Sequence, residues 1–526
     1  MLVLLLSSCL TLHAQISEGV MSQFDGRETV DCIIVMNNQL DMYGSTEEMS
    51  KDEKAHYVYE HLSIHALRSQ RSIQTYLDKE NILFTSYYIF NGLQAYLNIE
   101  QARHIIGNYD VSSIVYNERS KVQVNDKEPA SITRTDIEWG IQKINADLVW
   151  ARGIEGSGIV IGGQDTGYDF DNPLIFDRYR GYNGEEVDHN YNWHDAIDSV
   201  SALHGDTIND PSVNPCGFLS KEPCDDHGHG THTMGTMVGQ DSENYIGVAP
   251  KASWIGCRNM DRGYGKPSTY TECFQWFMAP SDLNGQNPNP SKAPHVIANS
   301  WGCPPNEGCN AENWGFMDLV VKNLSAAGTV VVVSAGNTGG TGCGSISNPA
   351  AIFESSFTVG ASNINDKKAG FSSIGPVVVD SSYRLKPDVV APGVGVRSIY
   401  LNEEFRTWNG TSMAGPHVVG AVALIINANP QLAGQVRMIK EILRYTAVPL
   451  RDSTECFDDN ALTIPNFHTG YGRIDALAAV KVAQLLTPTS TVKTSELKMT
   501  IGPNPNSGTF EMKWDENHNC QKIEFI

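Results

Sequence analysis

From Asp31 the chain runs through Cys32-Ile33-Ile34-Val35-Met36, a short apolar strand. A charged stretch of helical character over 51–79 follows, then strand-like runs at 82–89 and 93–97, a short helix at 99–106 and a last strand at 111–115. Strand, helix, two strands, helix, strand predicts a small α+β unit, an arrangement that specifies no function by itself. Residues 117–135 are polar and carry no hydrophobic period, so they read as an exposed linker that a protease could cut. Beyond them, runs rich in Val and Ile alternate with helical stretches, which predicts an α/β domain built on a parallel sheet. The most apolar run there, 418–426, falls short of the roughly 20 residues a bilayer span requires and reads as a buried helix.

Composition narrows the class. The 526 residues carry 38 basic and 60 acidic side chains, a net charge of −22, with no basic cluster, which argues against a nucleic-acid partner. At roughly 100 to 200 residues per domain the length predicts two to four units. A hydrophobic share of 41% with 47 Gly and 24 Pro fits a globular, loop-rich protein and not a disordered or fibrous one. The first residues, Met1 to Ala14, are apolar and end in a small residue before Gln15, the pattern of a secretory signal peptide. The alternatives are a lipid-attachment box at Leu6-Ser7-Ser8-Cys9 and a membrane anchor. Export would place the 11 cysteines where disulfides form.

Three segments carry chemistry. In 158–167 an apolar run ends in Asp165-Thr166-Gly167, and a carboxylate at the carboxyl end of a parallel strand stands where α/β folds place their sites. A turn-forming Asp is the plainer alternative, and a dinucleotide loop is disfavoured because Ile161 stands where its third Gly should be. In 225–232 the three histidines His227, His229 and His232 invite a zinc reading, but the HExxH spacing is absent. A histidine followed by small residues that open a helix suits general-base work instead. In 409–417 Ser412 opens an Ala-rich apolar helix, where unpaired N–H groups and the helix dipole favour the negative charge that develops when a carbonyl is attacked; a plain N-cap is the alternative.

Asp165, His229 and Ser412 follow the chain order of subtilisin. The chain resembles the subtilase (S8) family through Asp165-Thr166-Gly167, His229-Gly230-Thr231-His232 and Gly410-Thr411-Ser412-Met413-Ala414-Gly415-Pro416-His417, with Gly415 where the family usually has Ser. Trp139-Gly140-Ile141 and the run Lys386 to Gly393 extend the likeness from about 139 to 480. Residues 190–195, 256–261 and 299–309 resemble its bacillopeptidase F-like branch.

The resemblance implies a subtilisin-like parallel sheet flanked by helices, preceded by a small ferredoxin-like α+β propeptide. It also implies a secreted or cell-surface serine endopeptidase that works through an Asp165–His229–Ser412 triad and an acyl-enzyme. Asn337, after the strand 330–333, would donate to the oxyanion, and Ser300, Trp301 and Gly302 would line the substrate cleft, Trp301 replacing a smaller apolar residue. Phe90-Asn91-Gly92-Leu93 with Glu100-Gln101 looks like part of the family's inhibitory propeptide. A silent, surface-binding module of the same fold is the alternative function.

The organisation expected is a signal at 1–14, a propeptide at 15–120, a linker with the maturation site at 121–138, the peptidase domain at 139–486, and a linker with a truncated sorting domain at 487–526. The last reading rests on 503–510, which resembles the start of the type IX secretion domain. Eight cysteines remain in the enzyme domain and allow 105 pairings; Cys216 with Cys224, Cys257 with Cys273, Cys303 with Cys309 and Cys343 with Cys456 are expected, with reduced thiols as the alternative. No cofactor is implied for the chemistry. A structural calcium is possible for the family, and Asp169 and Asp171 are its only candidates, equally readable as solvated turn residues. The expected partners are protein or peptide substrates and the chain's own propeptide, with no nucleic acid, no membrane in the mature form and a monomeric state.

Overall fold

The computed structural model describes residues 15–117, 120–121, 136–199, 215–302, 311–451, 456–457, 463–486, 500–501 and 512–513. The N-terminal unit is a five-stranded sheet in the order Gln15–Ile16, Val111–Tyr116, Val30–Met36, Gly92–Leu97, Phe84–Tyr87. The four longer strands are antiparallel to one another, Gln15–Ile16 pairs in parallel with Val111–Tyr116, and the longer strands follow the expected strand, helix, two strands, helix, strand course. The single helical stretch expected over 51–79 is two helices, Lys51–Ser69 and Arg71–Lys79. The junction, Gln70, is wholly buried and donates from Nε2 to the Tyr87 carbonyl at 2.8 Å and to Asn91 Oδ1 at 3.0 Å. A long helix would carry that amide past its partners, so the break satisfies a buried polar group that would otherwise cost about 1–3 kcal/mol.

The larger unit holds a seven-stranded sheet ordered Val389–Pro392, Phe357–Ser362, Val330–Ser334, Val296–Asn299, Val160–Asp165, Ser253–Arg258, Trp193–Asp195, parallel throughout. Val330–Ser334 is buried at every position, as a strand covered on both faces requires. The edge strand Trp193–Asp195 lies in the segment 190–195, which resembles the bacillopeptidase F-like branch. The chain enters the sheet at Val160–Asp165, builds outward to one side and returns on the other at Val296–Asn299. The direction of building therefore reverses between these two strands, and in open parallel sheets the crevice at such a reversal is where ligands bind.

Helix Thr411–Ala428 crosses one face of this sheet and packs on helices His229–Val238 and Ala476–Leu485. Every residue from Thr411 to Ile426 is buried, so its apolar length is core. Three disulfides join Cys216 to Cys224, Cys257 to Cys273 and Cys343 to Cys456. Cys303 and Cys309 lie outside the described residues, as do 1–14 and most of 121–138 and 487–526, where Thr500–Ile501 pairs antiparallel with Met512–Lys513.

The two units share one apolar cluster, in which Ile33, Val58, Leu62, Tyr87 and Phe90 meet Phe274, Phe277, Phe316 and Val320. Phe90 stacks on Phe316 with ring centroids 4.7 Å apart. Asn323, wholly buried, stitches the contact: Nδ2 donates to the carbonyls of Ile89 (2.7 Å) and Leu40 (3.0 Å), and Oδ1 accepts from Met42 N at 2.9 Å. The N-terminal unit thus sits on helices Pro267–Met278 and Ala311–Ala326.

Candidate active site

Asp165 ends its strand at the reversal point, 2% exposed, with Oδ1 accepting from His229 Nδ1 at 2.7 Å and from Thr166 N at 2.8 Å. His229 is the first residue of helix His229–Val238 and is fully buried. The close approach depends on two glycines. At Gly167, φ is +109° and a Cβ would fall 1.8 Å from the Cys224 carbonyl oxygen; at Gly230 it would fall 2.0 Å from the Gly167 carbonyl oxygen. Any side chain at either position would push the histidine helix away from the aspartate turn.

Ser412 is the second residue of helix Thr411–Ala428, 5% exposed, and its Oγ donates to the Ser300 carbonyl at 3.0 Å. Asn337 lies just beyond strand Val330–Ser334 and turns its Oδ1 toward Thr411, accepting from the backbone N at 2.9 Å and from Oγ1 at 3.0 Å. With the oxygen held there, Nδ2 faces the other way. A Cβ on Gly410 would lie 3.6 Å from Ser412 N and 3.7 Å from Asn337 Nδ2, so both donors border one small space beside Gly410. Trp408, on the strand that precedes Gly410, lies over both histidines of the helix, 4.7 Å from the His232 ring and 6.2 Å from the His229 ring. The serine and histidine segments are therefore packed against each other.

Burial pushes His232 down to about 3, and repulsion from His229 adds to this, so the second histidine is a neutral packing group that donates no charge to the site. The third, His227, belongs to no metal-like grouping: among the described residues no set of three or more His, Cys, Asp or Glu side chains is placed to hold a metal ion. Asp169, pushed up to about 6 by burial and by the neighbouring Asp171, stands on the turn after Asp165.

Ser300, Trp301 and Gly302 extend from the carboxyl end of strand Val296–Asn299. Ser300 Oγ donates to the Ser412 carbonyl at 3.2 Å, so it is tied to the serine segment. Trp301 is 2% exposed and stacks on Tyr270, ring centroids 3.7 Å apart and 3° from parallel. Its indole is thus a buried packing group.

The sequence did not single out the hairpin that packs against Tyr270. Met260–Asp261 and Tyr264–Gly265 form a hairpin whose turn, Arg262-Gly263, has φ of +48° and +86°, and Ser120–Lys121 pairs antiparallel with its second strand. Positive φ at both central residues marks a tight hairpin turn; Gly263 was the available signal. Also missed was Asp225, whose carboxylate contacts both the aspartate turn and the histidine helix.

The parallel sheet, the Asp–His pair at its reversal point and the serine at the start of a buried helix define a subtilisin-like α/β protein. The profile of the subtilase family matches residues 156–472, and the chain belongs to that family of serine proteases. It is 36% identical over 449 residues to Bacillopeptidase F of Bacillus subtilis, covering 81% of this chain but 29% of that protein. Subtilisin DY of Bacillus licheniformis is 30% identical over 349 residues, 66% of this chain and 99% of its own length. Subtilisin Savinase of Lederbergia lenta is 29% identical over 321 residues, 60% of this chain and 92% of its own. The chain thus spans less than a third of Bacillopeptidase F.

Proposed function

We propose that this chain is a secreted or cell-surface serine endopeptidase, kept latent by its own N-terminal unit. Ser412 attacks the scissile carbonyl while His229 Nε2 takes its proton; Asp165 holds the imidazole by Nδ1 and stabilises the cation that forms. His229 then passes the proton to the leaving amine, and water repeats the cycle on the acyl-enzyme. Asn337 Nδ2 and the Ser412 N–H stabilise the oxyanion of each tetrahedral intermediate. The nearness of these two donors to one space beside Gly410 supports the reading, because both stand at the nitrogen of the proposed nucleophile.

Substrates of this enzyme are proteins and peptides, bound extended between Tyr264–Gly265 and Ser300–Gly302 as an added strand. The antiparallel pairing of Ser120–Lys121 with Tyr264–Gly265 supports placing the end of the N-terminal unit in the same groove. Residues 15–120 then act as an inhibitory propeptide, with maturation between 121 and 138. Residues 1–14 serve export and 487–526 are a sorting segment. The chemistry uses no cofactor, calcium serves structure only, and the mature enzyme is a monomer without nucleic-acid or membrane partners.

Casein hydrolysis by the matured chain tests the reading. Ser412→Ala is expected to lose activity on the order of a million-fold. Hydrolysis retained at the wild-type rate would overturn it.

A further inference from the structure

The geometry points to Asp225 as a positioning residue for this reaction, the group that fixes the turn bearing Asp165 to the helix bearing His229. This rests on the serine endopeptidase reading above. Asp225 is 8% exposed and both its oxygens are filled. Oδ1 accepts from Thr166 Oγ1 at 2.8 Å, from His227 N at 3.0 Å and from Gly228 N at 2.8 Å. Oδ2 accepts from Thr231 N at 3.0 Å and from Thr231 Oγ1 at 2.6 Å.

These bonds form a closed circuit. Thr166 adjoins Asp165, its N–H donates to Asp165 Oδ1 at 2.8 Å, and its Oγ1 accepts from Gly230 N at 3.0 Å while donating to Asp225. Thr231 Oγ1 in turn accepts from Asp169 N at 2.9 Å. The two helical N–H groups just after His229, at Gly230 and Thr231, have no acceptor within the helix. Here they are taken by Thr166, next to the catalytic aspartate, and by Asp225. The first turn of the histidine helix is therefore oriented from the aspartate turn, and Asp225, which belongs to neither, is bonded to both. Bonds to a carboxylate are stronger than those between neutral groups, and displacements of about 1 Å in a catalytic group cost on the order of 100-fold in rate.

Asp225 touches neither the imidazole nor Ser412 in any of these bonds, so its effect passes through the 2.7 Å His229–Asp165 contact. Asp225→Asn keeps the shape but presents an N–H where Thr231 N already donates. Thr166→Val keeps Asp225 and removes the bridge from the other side. The experiment measures kcat and KM on a peptide substrate, and the rate of fluorophosphonate labelling, for matured wild type and both variants, at a temperature where circular dichroism shows each folded.

The expected result is a fall in kcat on the order of 100-fold for Asp225→Asn, a smaller fall for Thr166→Val, matching losses in labelling rate, and KM little changed. The double variant is expected to lose less than the product of the two, because both break one circuit. If Asp225→Asn does not fold, Thr166→Val carries the test. Folded variants with wild-type kcat, or with a change confined to KM or to melting temperature, would reduce Asp225 to a helix cap and overturn the inference. Wild type that neither labels nor hydrolyses would sink the endopeptidase reading instead, which keeps the two failures apart.

Discussion

In the proposed mechanism proton traffic is decided by single atoms. Asp165 Oδ1 contacts His229 Nδ1, and on that proposal Nε2 is the nitrogen that exchanges a proton with Ser412. Asn337→Leu, which keeps the bulk and removes the donor, is expected to lower kcat about 100- to 1,000-fold with KM little altered, as steady-state kinetics on a peptide substrate would show. Close by, Arg258 is wholly buried among Asp195, Asp226 and Asp261. Three carboxyls share one guanidinium, and burial pushes Asp226 up to about 7 against the pull of Arg258. A carboxyl raised in the folded state binds its proton more tightly there than when unfolded. It therefore adds stability below pH 7 that is lost as pH rises from about 4 to 7. Asp226→Asn is expected to flatten this component of the urea midpoint between those limits. Asp165, His229 and Ser412 stand out in the sequence because each lies in a contiguous motif with small neighbours, and Gly167 and Gly230 show the close approach that those neighbours permit. Asp225 and Trp408 were not singled out: the bond from Thr166 to Asp225 spans 59 residues, and Trp408 meets the rings of His229 and His232 only on folding.

At the scale of elements, the site is a meeting of two strand ends and two helix starts. Asp165 and Ser300 come from strands on either side of the sheet's reversal point, while His229 and Ser412 open helices that pack on each other. The succession of strands and helices in the N-terminal unit follows from apolar runs readable in the sequence, whereas the spatial order of strands is set by folding; the break at Gln70 is not readable either, because it answers to a buried amide's partners and not to periodicity. The Cys257–Cys273 bridge closes the chain segment that contains the hairpin Met260–Gly265, with a sequence separation of 16. A loop of that size is worth about 3 kcal/mol when cross-linked. Replacing both cysteines by alanine is expected to lower unfolding stability by about that amount, measured in urea, and, on the proposal that the hairpin binds substrate, to raise KM more than it lowers kcat.

For the whole molecule, the N-terminal unit and the enzyme unit, separate in the sequence reading, share one apolar cluster. Asn323 fills three buried polar groups of the N-terminal unit at once. Asn323→Ala leaves them unsatisfied, each at about 1–3 kcal/mol. Once the linker is cut, this variant is expected to release the N-terminal unit at least tenfold more readily, measured as residual inhibition against dilution. The large unit also buries neutral histidines: burial holds His232 and His295 near 3 and His417 near 4. Each depressed value means that the unfolded chain takes up protons the folded one refuses. This part of the stability is present above pH 6.5 and is lost as pH falls toward 4.

The central claim is that Ser412, activated by His229 and held by Asp165, is the nucleophile of a protease. Labelling the matured protein with a fluorophosphonate and mapping the modified peptide tests it most directly. The expected result is a single modification on Ser412, abolished by Ser412→Ala and by His229→Ala together with caseinolytic activity. Modification at another residue, or casein hydrolysis that survives with Ser412 replaced, would contradict it.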